Sequence, residues 1–161
     1  MYNEIKGDLF RDIHIAISET RVITHVVNDK LAWASGFVLP LAKNFPDAEK
    51  DYKLWKDIKM GDVRYTPISD EYEVHTYIAH MCGQTLSWQR PRVRDLRYNK
   101  LVECMDKVAK FINEIKSGGE PCQIICPKFA AGLAGGNWDF VRELIEDCWI
   151  KEGIDVTVYY L

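Results

Sequence analysis

Hydrophobic and polar positions change period several times along the chain. Short runs rich in Val, Ile, Thr and Tyr occupy residues 2–6, 22–27, 63–68, 74–81, 123–126 and 155–160 and read as strands. Between them, apolar residues recur at steps of three or four over residues 37–44, 46–58, 98–116 and 137–151, the spacing of amphipathic helices. The third of these is the clearest. Leu101, Met105, Val108, Ile112 and Ile115 form one face, Lys100, Glu103, Lys107, Lys110 and Glu114 fill the other, and Gly118-Gly119 stops the pattern. The last repeats it with Trp138, Val141, Ile145 and Cys148 before Gly153. Pro40 falls early in its helix, where first-turn amides have no internal partner. Residues 11–20 alternate Ile13, Ile15 and Ile17 against polar neighbours, so an extra edge strand is expected there. Strands alternating with helices imply an α/β domain with a largely parallel sheet. No repeat or linker interrupts the pattern, and residues 1–161 are expected to be one domain.

The 161 residues suffice to bury a core without disulfides or metals, and 47% hydrophobic with 28% charged residues argues against disorder. The 24 acidic and 21 basic residues leave a net charge of -3, so no global attraction to a phosphodiester backbone is expected and nucleic acid is not the default partner. No apolar run approaches the ~18 residues of a membrane span, and the polar opening MYNEIKGD is not a signal peptide. Five cysteines cannot all pair; reduced thiols in a cytoplasmic protein without membrane contact are the expectation.

In an open α/β sheet, ligands sit beyond the carboxyl ends of the strands. Two strand-to-helix junctions there carry unusual chemistry. The first runs Asn28-Asp29-Lys30-Leu31-Ala32-Trp33-Ala34-Ser35-Gly36 after the strand at 22–27, with His25 near that strand's end. The second is Pro127-Lys128-Phe129-Ala130-Ala131-Gly132-Leu133-Ala134-Gly135-Gly136, which feeds the helix near Asn137. Its glycines and alanines allow close backbone approach and positive φ, and a helix N-terminus favours an anion, so a diphosphate is the expected guest. A tight connection with small residues for packing explains the same loop. Likewise His25 fits either a ligand contact or a buried histidine satisfied locally, and Asn28 either a ligand contact or a loop staple. His80, Cys82 and Gln84 follow another strand end on one side of the sheet, which makes Gln84 a candidate polar contact. Cys122 and Cys126 flank a buried strand and read as packing. Arg90, Arg92, Arg94 and Arg97 beside Trp88 are either a solvated loop entering a helix or a surface that steers a polyanion.

Four segments in order resemble a macro domain, the ADP-ribose-binding α/β/α module: Lys6-Gly7-Asp8-Leu9-Phe10; His25-Val26-Val27-Asn28-Asp29 with Ala34-Ser35-Gly36-Phe37; PKFAAGLAGGNW from Pro127 to Trp138; and the closing run Val156–Leu161. The resemblance covers essentially the whole chain. It implies a three-layer fold around a mixed, mostly parallel sheet. Within the family the chain is most similar to the small single-domain branch of ADP-ribose-1″-phosphate phosphatases and terminal ADP-ribose hydrolases, with 45–52 (FPDAEKDY) supporting that branch.

The resemblance implies that Asp8 receives the adenine amino group and Leu9 offers its amide. Ala34, Ser35, Gly36 and Phe37 are expected to wrap the distal phosphate and ribose, and Gly132, Leu133, Ala134, Gly135 and Gly136 to cradle the diphosphate. Asn28 is expected to face the distal ribose, and Tyr159 or Tyr160 the adenine. ADP-ribose, free or protein-linked, is the implied partner. The hydrolases that free glutamate use a lysine after a strand and an aspartate after the Gly-Leu of the second loop. Met81 (or a neighbour in 79–84) and Ala134 stand there, and neither supplies that chemistry. The expected activity is therefore water-driven hydrolysis of ADP-ribose-1″-phosphate, with His25 as acid or base and Asn28 or Asp29 orienting it. A non-catalytic ADP-ribose-binding module and a hydrolase without the lysine are the alternatives. No metal or cofactor is expected, because no His–Asp cluster has ligand spacing.

Overall fold

The computed structural model describes residues 1–13, 19–69, 74–86 and 94–161. All six predicted strands are present: β1 (Tyr2–Lys6), β2 (Thr20–Asn28), β3 (Val63–Ser69), β4 (Val74–Gln84), β5 (Cys122–Pro127) and β6 (Val156–Tyr160). They form one sheet in the order β1-β6-β5-β2-β4-β3, parallel except for β3, which runs antiparallel to β4. The helices are α1 (Leu9–Ile13), α2 (Val38–Asn44), α3 (Pro46–Lys53), α4 (Tyr98–Ser117) and α5 (Trp138–Ile145).

Side chains alternate across a strand, and this sorts the core into two layers. Val22, Met81 and Ile124 face Leu101, Met105 and Ile145 of α4 and α5. Ile23, Ile78 and Ile125 face Leu9, Leu41 and Ala48 of α1, α2 and α3. The result is a three-layer α/β/α sandwich. Central strand β2 is buried on both faces over nearly its whole length, as parallel sheets require. Among the described residues no helix is long and apolar enough to cross a membrane.

Four expectations are corrected. Residues 11–13 belong to α1 rather than to an edge strand. The Asp8 carboxylate accepts the Phe10 amide at 2.9 Å, and Leu9, Phe10 and Ile13 lie buried along one helical side. Of the rest of that segment Thr20 opens β2, while residues 14–18, including His14, lie outside the described residues, as do Trp88, Arg90 and Arg92. The helix expected over 46–58 ends at Lys53, where the Leu54 amide turns back to Asp51 and Tyr52 and Asp57 adopts φ 55°. β4 runs on to Gln84, past the expected 81. Finally, α5 gives way to a π turn at Glu146–Ile150, closed by Lys151 N–H to Glu146 O at 3.0 Å. That turn seats fully buried Trp149, whose Nε1 donates to Met105 O at 2.9 Å.

Candidate functional site

Strand order reverses between β2 and β5, since the chain leaves β2 towards β4 on one side and β5 towards β6 on the other. Such a switch point opens a crevice at the carboxyl ends. Here the crevice is deepened because the β2–β5 ladder ends at Ile23 and Ile125, although β2 continues to Asn28 and β5 to Pro127. Proline has no N–H to extend the pairing. His25 lies two residues beyond that last pair.

The split becomes a trough of three adjoining cavities. The first, about 490 Å³, lies between Asp8, Leu9 and Phe10 on one side and Lys128, Tyr159 and Tyr160 on the other. It shares Gly36, Phe37, Pro127 and Lys128 with the middle cavity of about 320 Å³, which His25, Ala131 and Gly132 also line. The third, about 380 Å³, shares Ser35, Gln84 and Ala134 with the middle one and adds Asn28, Ala34 and Asp95. Gly36 and Gly132, which both line the middle cavity, have φ 76° and 68°, and a Cβ on either would meet nothing within 4 Å. Ala130 holds φ 66° beside them, a strained setting of about 1 kcal/mol for a residue with a side chain. Among the described residues the amides of Gly36, Phe37, Ala131 and Gly132 have no backbone carbonyl partner.

Below the trough lies a buried polar chain. His25 Nε2 is 2.7 Å from His80 Nδ1, and His80 Nε2 is 2.8 Å from Thr66 Oγ1. The Thr66 hydroxyl donates to Asp51 Oδ2 at 2.6 Å, and Arg64 donates to Asp51 Oδ1 at 2.9 Å. His25, His80 and Thr66 are 2%, 0% and 3% exposed. Burial, reinforced by the neighbouring His80, lowers the His25 pKa well below its ordinary value. Burial and then the Arg64 charge lower His80 to about 3. Burial alone would raise the Asp51 carboxyl, but the Arg64 and Thr66 hydrogen bonds outweigh it and hold it below the usual range. Both imidazoles are thus neutral at pH 7, and His25 Nδ1 is buried with no partner among the described residues.

No protein-family model matches the sequence, and no curated protein matches it either. Solved structures do. A Bacteroides thetaiotaomicron protein of unknown function is 30% identical with a TM-score of 0.86, the match covering 100% of this chain and 98% of that one. A macrodomain protein from Streptomyces coelicolor is 26% identical with a TM-score of 0.78, over 100% of this chain and 99% of that one. The chain is a macrodomain. Thermosipho africanus DarTG, solved in complex with ADP-ribose, shares the fold at 18% identity and a TM-score of 0.73, over 98% of this chain and 41% of that one.

The macrodomain brings together most of the residues singled out in its sequence. Asp8, Leu9 and Tyr160 line the first cavity, Ser35, Gly36, Phe37 and Gly132 the middle, and Ala34, Asn28, Gln84 and Ala134 the third. Others it places differently. Gly135 and Gly136 sit behind the cradle: a Cβ on Gly136 would lie 2.1 Å from Ala130 O, and one on Gly135 2.9 Å from Arg94 Cγ. Only the backbone of Leu133, within the 3₁₀ turn Gly132–Ala134, is described. The α5 N-terminus is not open to an anion, because the Asn137 side chain already accepts the Asp139 and Phe140 amides.

Asn28 is largely a loop staple. Its Oδ1 accepts the Lys30 and Ala32 amides at 3.0 Å, and its Nδ2 donates to Ala32 O at 2.9 Å. Asp29 lines none of the three cavities, and among the described residues it is His80, not Asp29, that lies within hydrogen-bond reach of His25. Phe129 packs edge-on to Trp138 in the core. Arg94 lies over the Tyr98 ring, 4.4 Å from its centroid, and Arg97 donates to Arg94 O.

Met81 is fully buried in the core, not in the trough. A bulge at the end of β4 pairs Asn28 with Gln84 instead of Gly83, and this swings Gln84 away from the face of His80 and Cys82 into the trough. Sequence reasoning missed the His80–Thr66–Asp51 chain and Asp95, which is 4% exposed. Two histidines near the ends of adjacent parallel strands were the available signal for the first; nothing local marks Asp95. Among the described residues no group of three or more His, Cys, Asp and Glu side chains is placed to hold a metal ion.

Proposed function

We propose that this macrodomain binds ADP-ribose along the trough and removes a phosphate from the distal ribose of ADP-ribose-1″-phosphate. The Thermosipho relative was solved in complex with ADP-ribose, and the sequence of cavities fits that molecule's parts. Asp8 and Tyr160 meet the adenine in the first cavity. The Gly36–Phe37 and Ala131–Gly132 amides receive the diphosphate in the middle, each charge-assisted bond contributing on the order of 1.5–3 kcal/mol. Ser35, Gln84 and Asp95 surround the distal ribose in the third.

The observation that carries the phosphatase reading is the neutral, unpartnered Nδ1 of His25 beneath the two loops. A neutral imidazole accepts a proton from an attacking water, while loop amides offset the charge on the transferring phosphoryl oxygens. Phosphate release from ADP-ribose-1″-phosphate, paired with calorimetry on ADP-ribose, tests it. Wild type should turn over, and His25→Ala should keep ADP-ribose affinity while losing release. Binding with no phosphate release leaves a non-catalytic module; freeing of ADP-ribose from a modified protein instead points to a hydrolase.

A further inference from the structure

The buried chain below the trough has a direction, and the direction decides which nitrogen of His25 is bare. The Asp51 carboxylate only accepts, and the Arg64 guanidinium only donates to it. The single Thr66 hydroxyl proton therefore goes to Asp51 Oδ2, and Thr66 Oγ1 accepts from His80 Nε2. With its proton on Nε2, neutral His80 presents a lone pair at Nδ1. His25 Nε2 must then donate across the 2.7 Å contact, which leaves its own Nδ1 without a proton. The four links come from β2, β4, β3 and α3, so the arrangement is tertiary throughout.

We infer that Arg64, Asp51, Thr66 and His80 form a positioning relay that fixes His25 in the tautomer with a bare Nδ1 and lets it take up a proton without leaving an imidazolium in the core. This rests on the phosphatase reading for its use, though not for its geometry. When Nδ1 takes a proton, His25 Nε2–H passes to His80 Nδ1, His80 Nε2–H to Thr66 Oγ1, and the Thr66 proton to Asp51 Oδ2. One proton enters and one arrives at the carboxylate; only N–H and O–H bonds change. Both histidines end neutral in the opposite tautomer, and the charge change falls on Asp51, whose side chain is 27% exposed beside Arg64. Return of a proton to the leaving oxygen reverses every transfer and resets the chain.

Asp51→Asn tests the direction from the far end of the chain. Arg64 still needs an acceptor, so the amide oxygen turns to it and the NH₂ faces Thr66 as a donor. The hydroxyl then donates to His80, and both histidines switch tautomer, placing a proton on His25 Nδ1. Nitrogen-15 spectra of the imidazoles, assigned through His25→Gln and His80→Gln, read this directly at pH 7. Expected are a bare Nδ1 on His25 in wild type, a protonated one in Asp51→Asn, and mixed tautomers in Thr66→Val restored by Thr66→Ser. In the phosphate-release assay, kcat of Asp51→Asn should fall by about 10²–10⁴-fold, the cost of a misplaced proton, with ADP-ribose affinity unchanged. A wild-type His25 protonated at Nδ1, or an Asp51→Asn spectrum like wild type, overturns the relay whatever the activity. Tautomers as stated in an enzyme that releases no phosphate leave the relay standing and remove the phosphatase reading instead.

Discussion

Lowering the pH from 7 to 5 should destabilise the fold through the two histidines enclosed between the sheet and α3. Burial, then the Arg64 charge, lowers His80 to about 3 in the native protein, while in the unfolded chain it titrates near ~6.5. Between those values the unfolded state holds a proton that the native state lacks. Stability is therefore complete above the unfolded pKa and falls as pH drops, by about 1.4 kcal/mol per pH unit. From pH 7 to 5, His80 alone removes about 2 kcal/mol, and His25, shifted the same way by burial and by His80, adds to the loss. Asp51 is held below the usual carboxylate range, so its stabilising contribution is lost only at lower pH, as the solution passes through its folded value. Urea unfolding followed by tryptophan fluorescence at half-unit steps measures the slope. Replacing His80 with Gln should lower it by about one proton. A wild-type stability that stays level between pH 7 and 5, or a variant with the wild-type slope, refutes the reasoning.

Three further outcomes separate packing from ligand contact. Gly136→Ala drives a Cβ into Ala130 O and Leu96 and should cost about 2–3 kcal/mol in urea unfolding, whereas Gly132→Ala, with open space around it but φ 68°, should cost about 1 kcal/mol and weaken ADP-ribose binding in calorimetry. Equal stability losses at the two positions contradict that assignment. Tyr52→Phe removes the hydroxyl that donates to Asn28 O at 2.6 Å; thermal unfolding should show a loss of about 1–2 kcal/mol, and a neutral change would mean the loop is held without it. All five cysteines are free and buried, and burial raises each thiol to about 12, so intact-mass analysis after iodoacetamide should find no adduct on the native protein and five in denaturant.

What the sequence determined by itself is what local patterning controls. The six strands announce themselves because short β-branched and aromatic runs between turn residues have few other stable arrangements, and α4 follows from a continuous apolar face closed by Gly118-Gly119. The two loops at the switch point were legible for the same reason: glycines and alanines between a strand and a helix leave a distinctive composition. Where local signals competed, the sequence misled. Ile13, Ile15 and Ile17 alternate like a strand, yet Asp8 caps a helix over Leu9–Ile13. Gln84 seemed in phase with His80 until a bulge turned it. Only the tertiary structure decided which residues share the site. His25, Asp51, Thr66 and His80 lie on four elements, and strand register together with the packing of α3 brings them within hydrogen-bond reach. No spacing in the chain encodes that, because a hydrogen bond depends on distance and angle in three dimensions, and these exist only after the sheet has assembled.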